Sequence, residues 1–462
     1  MTVLEQLGAY VVRDLPRGLS AAVRRAARLH LADTVGAWVA ASGTQEGRAL
    51  TGFREGAGER SQPAGEDLLD RVARSCALAR LSEIDDIHLP SCTTPGALIV
   101  PSALTIGSSL GASGDAIGEA IAAGYEAMVR LGLALDGPSL LYRGIWPTYF
   151  TAPIGVAAVA LRLLGLTERQ AAHALGIALT LASPAVGRQG GAAMSRWLAI
   201  GHAARSGVFA ALSAQAGFTA DLRLFEGDFF SAAYNLSPDT EVLVDALEEH
   251  SVLPEVSFKP WCAARQTMAA TQALKEIIET GVPLSDITQL VVSVPPPYLR
   301  MIDHGVVTGD RSSHLTSVSY QMALAAFAPD ALFDLRQAPE RVSGEIGAFM
   351  AKVAVKADDD VLRHYPKSWP ARLEITTPME KHEKLVIHVP GDPERPFDEH
   401  QVAAKFARLT APLIGERVAD DLLRFSLAVL DGEQDAPQAL LAQIERAAAL
   451  ASKNPIGLGF QL

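Results

Sequence analysis

Cysteine is scarce in this chain: Cys76, Cys92 and Cys262 are the three in 462 residues, far apart and with no CxxC spacing. That argues against a disulfide framework or a thiolate zinc site, and it fits a reducing cytoplasm. Positive charge is also in deficit, with 40 Lys and Arg against 52 Asp and Glu for a formal net charge of -12. Nucleic acid and anionic membrane surfaces demand a cationic footprint, so the composition predicts neither as main partner. An anionic ligand must instead be held locally, by Arg, Lys or helix N-termini. Long hydrophobic runs are missing too. Stretches such as APIGVAAVALRLLGL are Ala- and Gly-rich and too short or interrupted to span a bilayer, so they read as buried core helices. The opening MTVLEQLGAYVVRDLP carries an early Glu and Asp and alternates polar with apolar residues, unlike a secretory signal. No internal repeat or low-complexity run is apparent.

What is present is ordinary globular composition, 49% hydrophobic and 20% charged, in a chain longer than one core usually serves. Two domains are expected. From residue 20 to about 245, Leu and Ala recur at three- and four-residue spacing, which predicts an all-helical domain. Within it LSAAVRRAARLHLADTVGAWVAAS is one helix with Ser20 as N-cap and Gly43 as stop, and Thr167 with Gln170 forms a capping box. Near residue 255 the character changes. KPWCAARQTMAATQALKEIIETG reads as a helix, VVSV, ARLEITTP and KLVIHVPGDP as strands, and SHLTSVSYQMALAAFAP as helical. The fold class is therefore mainly α with a smaller α+β unit. The domains are 1–255 (helical), 256–395 (α+β), and 396–462 (C-terminal helices returning to the first domain).

Four stretches hold residues that carry chemistry. EIDDIHLPSCTTPG places Glu83, Asp85, Asp86 and His88 ahead of a Thr-Thr-Pro-Gly turn at Thr94, where one Asp caps the following helix in the plainer reading. LYRGIWPTYFTAPIG sets Trp146 and Tyr149 at a helix entrance that Thr148 can cap. SPAVGRQGGAAMSRWLAIGHAARSG carries Arg188 and Arg196 in a mostly apolar run, where they reach water or pair with a carboxylate. SFKPWCAARQTM groups Lys259, Trp261, Cys262 and Arg265 in or beside the first turns of a helix at the domain junction.

In this order, the stretches resemble the MmgE/PrpD family, over nearly the whole chain. DDIHLPSCTTPG is similar to the family's Asp-Asp-Thr-His…Thr-His-Pro-Gly pattern, RGIWPT to Arg-Gly-Phe-His-Pro-Thr, and GHAARSGVFAALSAQAGFTA with LFEG to Gly-Arg-Ala-Ala…Gly-Phe-Thr-Gly…Leu-Glu-Gly. KPW followed by AAR, and SVSYQMALA at 317–325, agree with its second-domain motifs. The resemblance implies a large helical domain built from both chain ends, a smaller α+β lid and a homodimer. Its chemistry needs no cofactor or metal: a proton is taken beside a carboxylate, then water or carbon dioxide is lost, or the proton returns to the other face. Such work needs a base near neutral pKa and cations that stabilise an enolate-like intermediate.

The sequence departs from that pattern at several positions. Thr94 and Trp146 stand where the family has histidines, Arg196 where it has an active-site lysine, and Ala199 for a nearby histidine. No histidine occurs between His250 and His304, so the one that normally follows the Lys-Pro motif is absent. The retained groups predict Asp85, Asp86 or His88 as base, with Lys259, Arg196 and Arg265 gripping an acid and Tyr320 donating a proton. Glu83, Thr94, Trp146, Arg188 and Trp261 complete the substrate-binding set. A lyase acting on a carboxylate-bearing small molecule, less polar than a tricarboxylate, is the expectation. An epimerase, isomerase or cyclase of specialised biosynthesis, and a non-catalytic family member, stay open beside it.

Overall fold

Helix ends follow the capping chemistry of the sequence. The computed structural model describes residues 1–13, 18–58, 67–183, 193–247, 250–336, 342–432 and 434–454. Ser20 accepts from the Val23 amide to open the helix Ala21–Ser42, which Gly43 closes. Thr167 and Gln170 form the reciprocal box that opens Glu168–Leu181, and Thr2 with Glu5 does the same for Val3–Val12. Each such cap is worth about 1 kcal/mol over an uncapped end. Thr148 departs from its expected role. The helix Pro147–Leu163 has Trp146 at the cap position with no side-chain hydrogen bond, and Thr148 lies inside the first turn. Proline at the first helical position has no amide to satisfy, so the Thr148 hydroxyl can serve a neighbour instead.

The chain divides into two compact units, one built on residues up to Val256 and from Asp398 onward, the other mainly on Ser257–Phe397. In the first, every regular element described is a helix. Pro147–Leu163 packs on both Gly114–Ala134 and Ser195–Gln215, while Glu399–Ile414, Glu416–Ala428 and Ala436–Lys453 pack on Ala21–Ser42. Small residues set these spacings: a Cβ on Gly207 would lie 2.6 Å from the Pro153 carbonyl oxygen. The mainly-α fold class with its smaller α+β part is thus the observed one.

In the second unit β1 (Gln289–Val294), β2 (Val353–Ala357), β3 (Ala371–Thr376) and β4 (Lys381–Val386) form one sheet in the order β2-β1-β3-β4. β1 runs parallel to β2 and antiparallel to β3, and β3 is antiparallel to β4. The register sets Leu290 opposite Ile375 and Val292 opposite Leu373, and all four are fully buried. Each contributes roughly 1.5–3 kcal/mol by leaving water. The helix Arg265–Ile278 packs on β3 and β4.

Three details differ from the sequence reading. The helix expected from Lys259 starts only at Arg265, because Cys262 N–H donates to the Leu332 carbonyl and Ala264 N–H to the Leu315 carbonyl, each at 2.9 Å. Those bonds hold the preceding residues out of the helix. The strand expected at KLVIHVPGDP runs Lys381–Val386, since the Asp392 carboxylate takes the Val389 amide at 2.8 Å and turns the chain. The helix through SHLTSVSYQMALAAF breaks at Ser317 into Arg311–Thr316 and Val318–Phe327. There the Ser317 hydroxyl donates to the His304 carbonyl at 2.6 Å.

One contact makes the first unit's tolerance testable. A Cβ on Gly137 would lie 1.8 Å from the Ser91 carbonyl oxygen, a clash with backbone that no side-chain rotation relieves. Gly137→Ala should destabilise the protein by at least about 1–3 kcal/mol, the cost of overpacking. A denaturant midpoint equal to wild type would contradict this placement of the 88–94 loop.

Candidate active site

The loop between the helices Leu68–Leu81 and Gly96–Leu110 is pinned by Asp86. Its Oδ1 accepts from Gly96 N–H at 2.8 Å, and its Oδ2 accepts from the Tyr125 hydroxyl at 2.6 Å and lies 2.9 Å from His30 Nδ1. Burial, with the Asp86 charge beside it, pushes the Tyr125 hydroxyl well above its ordinary pKa, so it remains a donor. Glycine is required at 96 because a Cβ would sit 2.7 Å from Asp86 Oδ2 and 2.8 Å from the Tyr125 oxygen. Asp86 therefore caps the following helix from ten residues upstream and anchors the loop. With two hydrogen-bond donors on a buried carboxylate and the His30 ring beside it, it is poorly placed to act as the base.

Ile84, at the loop's start, is fixed from behind. Lys405 Nζ donates to its carbonyl at 3.0 Å and binds Asp33 Oδ1 at 2.7 Å and Oδ2 at 2.9 Å. Both side chains are nearly solvent-free. Burial raises the Asp33 pKa, and the Lys405 charge opposes that rise.

On either side of Ile84, two carboxylates meet two arginines. Glu83 has a left-handed backbone, φ 55°, which costs a non-glycine residue about 1 kcal/mol or more. That conformation lets its carboxylate bridge Arg80 Nη1 at 2.8 Å and Arg196 Nη2 at 2.9 Å. Asp85, with no exposed surface, lies 3.3 Å from Arg80 Nη1. Burial disfavours the Arg80 cation, but Asp85 and Glu83 outweigh it and hold the guanidinium above its ordinary pKa. The Arg196 guanidinium lies 4.7 Å from the Trp146 ring and 4.5 Å from the Trp197 ring. Each cation–π contact is worth about 1 kcal/mol when partly desolvated. Arg196, expected to grip a substrate acid, is thus held by a carboxylate of its own chain and by two indoles.

His88 lies in a third environment. Its Nδ1 is 2.9 Å from the Ser91 hydroxyl and its Nε2 is 3.7 Å from Glu255 Oε2. The contact with His88 holds the half-buried Glu255 carboxyl below its usual pKa against the opposing effect of burial. The Thr94 amide donates to the Thr148 hydroxyl at 3.0 Å, tying the Pro-Gly turn to the Trp146 helix. Arg188 lies outside the described residues.

The second unit holds the remaining candidates. Lys259 and Trp261 are buried in the segment ahead of the helix Arg265–Ile278, and the Trp261 ring carries Lys275 Nζ 5.0 Å from its centroid. Arg265, first residue of that helix, has no solvent-exposed side-chain surface and pairs through Nη2 with Asp392 Oδ2 at 2.6 Å. Its Nε and Nη1 have no hydrogen-bond partner among the described residues. Tyr320 is fully buried on the helix Val318–Phe327, which packs against the Arg265 helix. The ring of His314, also buried, meets the Tyr320 ring edge-on at 5.0 Å.

Sequence reasoning missed Arg80, although its place three residues before Glu83 is an i,i+3 pairing signal. It also missed His30, Tyr125, Lys405 and Asp392. Their partners lie 39 or more residues away, so no local spacing reveals them. Among the described residues, no group of three or more His, Cys, Asp or Glu is placed to hold a metal ion, and no helix is long and apolar enough to cross a membrane.

The MmgE/PrpD N-terminal domain matches residues 5–240, and the MmgE/PrpD C-terminal domain matches residues 261–428. The chain belongs to the MmgE/PrpD family. Similar to it as well are the cis-aconitate decarboxylases of Aspergillus terreus and of its strain NIH 2624 / FGSC A1156, each 32% identical over 151 residues. Those matches take in 31% of this chain and 30% of the relative, so the chain spans less than a third of the length of these curated relatives.

Two measurements check the site's electrostatics. Lys405→Met strips a buried carboxylate of its partner and should cost about 3–5 kcal/mol in denaturant unfolding; a loss below 1 kcal/mol would mean that Lys405 is solvated. Glu255 has a folded pKa below its unfolded one, so it contributes stability above the ordinary carboxylate range that is lost as pH falls through the lowered value. The group is half exposed and the gain is under about 1 kcal/mol. Wild type should therefore exceed Glu255→Gln in thermal midpoint at pH 7, and the gap should close as pH falls through the lowered carboxyl pKa. A gap that persists at low pH would contradict the assignment.

Proposed function

We propose that this protein is a cofactor-independent lyase that acts on a carboxylate-bearing small molecule by proton abstraction and elimination, with a site altered for a substrate less polar than a tricarboxylate. The observation that carries the reading is Arg265: a fully buried guanidinium with one anionic partner and two donors, Nε and Nη1, without any among the described residues. A buried donor left unmatched costs about 1–3 kcal/mol. A carboxylate restores the match, because its two oxygens fit the planar guanidinium edge.

The other groups of the second unit suit the chemistry that follows. Lys259, buried near Arg265 in sequence, offers a second cation where charge develops as the α-proton leaves and an enolate forms. Tyr320, on the helix packed against that of Arg265, offers a hydroxyl to return or deliver a proton. Collapse of the enolate then forms the carbon–carbon double bond and expels hydroxide, which takes from the general base the proton removed from the α-carbon and leaves as water. In a decarboxylation, carbon dioxide leaves instead and the carbanion takes the proton. In the first unit, Arg80 and Arg196 are matched by Glu83 and Asp85, and Arg196 is stacked on Trp146 and Trp197. That cluster is neutralised by carboxylates of its own unit.

The direct test is proton exchange followed by NMR in deuterated water. The purified protein is incubated with 2-methylcitrate, cis-aconitate and citrate, and then with smaller mono- and dicarboxylates. Turnover or label uptake confined to the less charged acids is expected, with loss of at least about 100-fold in kcat/KM for Arg265→Gln, the cost of removing a charged, buried hydrogen-bonding partner. Turnover of the tricarboxylates would contradict the altered-site reading. Label uptake without net product would replace elimination by epimerisation.

A further inference from the structure

Most buried polar atoms in a folded protein find partners, so the exceptions point to ligands. His314 is such an exception, and the reaction outlined above does not use it. It is 1% exposed, and its Nδ1 lies 2.9 Å from the Asp310 carbonyl oxygen. A carbonyl can only accept, so Nδ1 carries the hydrogen, and in the neutral ring Nε2 is left as a lone-pair acceptor. That Nε2 is buried with no hydrogen-bond partner among the described residues. Ring packing alone does not explain the residue. Its edge-on contact with Tyr320, 5.0 Å between centroids at 86°, would be made equally by phenylalanine, which buries no acceptor.

The backbone relates this acceptor to the anion site. Ala264 N–H donates to the Leu315 carbonyl at 2.9 Å, so the residue before Arg265 is bonded to the residue after His314. Donors of Arg265 and an acceptor of His314, all buried and unmatched, thus arise from two joined segments of the same unit. We infer that His314 reads a hydroxyl group: its Nε2 accepts a hydrogen bond from an O–H of the same carboxylate-bearing molecule that Arg265 holds, so the ligand class is a hydroxycarboxylate. The inference rests on the carboxylate-binding reading of Arg265 and narrows it. It also assigns His314 a specificity role that the motif pattern around Tyr320 does not reveal.

The test compares binding of malate with succinate, and of mandelate with phenylacetate, to the full chain by calorimetry. Each hydroxy acid should bind at least about tenfold tighter than its deoxy partner, the scale of a hydrogen bond to a buried group. His314→Phe should remove that preference while leaving succinate and phenylacetate affinity within about twofold, and His314→Gln, which keeps an acceptor, should retain part of it. Equal affinity within both pairs, or a preference that survives His314→Phe, overturns the hydroxyl-reading role. In that case loss of all carboxylate binding in Arg265→Gln would still uphold the anion site. If no acid in either pair binds wild type, the anion site itself fails and the inference falls with it. Should His314→Phe not fold, nitrogen-15 NMR of the histidine-labelled native protein decides instead: an Nδ1–H tautomer with bare Nε2 supports the role, and hydrogen on Nε2 overturns it.

Discussion

A charge taken out of water must be met by an opposite charge or by hydrogen bonds, and this constraint organises the candidate site more than any motif does. Lys405 meets it with Asp33 and the Ile84 carbonyl. Arg80 meets it with Glu83 and Asp85, and Arg196 with Glu83 and two indoles. Asp86 meets it with an amide, a phenol and an imidazole. Arg265 meets it only in part, through Asp392. The difference between a closed ion-pair network and a half-matched cation is the ground for proposing Arg265, rather than Arg80 or Arg196, as the anion-binding group.

The same constraint explains why residues that look catalytic in sequence take different parts in the structure. Asp85 and Asp86 are adjacent, yet one carboxylate meets Arg80 and the other the helix start at Gly96. The left-handed residue Glu83 places its carboxylate between two arginines, Arg80 and Arg196. Arg196 keeps a positive charge, but Trp146 and Trp197 occupy its faces and Glu83 its edge. A charge that is stacked and paired stabilises the fold, and it gives little to an incoming anion unless that anion displaces Glu83.

Much of the fold was legible from local chemistry. Ser20, Gly43, Thr167 and Gln170 act at single helix ends, and their signals lie within four residues of the bonds they make. The β-branched run VVSV and the alternating ARLEIT announce strands by themselves. The MmgE/PrpD likeness was legible from its spaced motifs, and the domain matches agree with it. The helix start at Arg265 was not legible, because Leu315 and Leu332 fix it from 51 and more residues away. The strand β2 was hidden because five residues at a sheet edge, with mixed burial, have little periodic signal. Within the site, residue types were readable and partners were not. Nothing near Asp86 in sequence announces Tyr125 or His30, and nothing near Arg265 announces Asp392.

Arg265 is the proposed anion-binding cation, whereas Arg196 pairs with Glu83 of its own chain. A crystal structure of the protein with malonate bound tests this most directly. A malonate carboxylate is expected on the Nε–Nη1 edge of Arg265, with the Glu83–Arg196 pair intact. Malonate on Arg196 with Glu83 displaced, and nothing on Arg265, would contradict it.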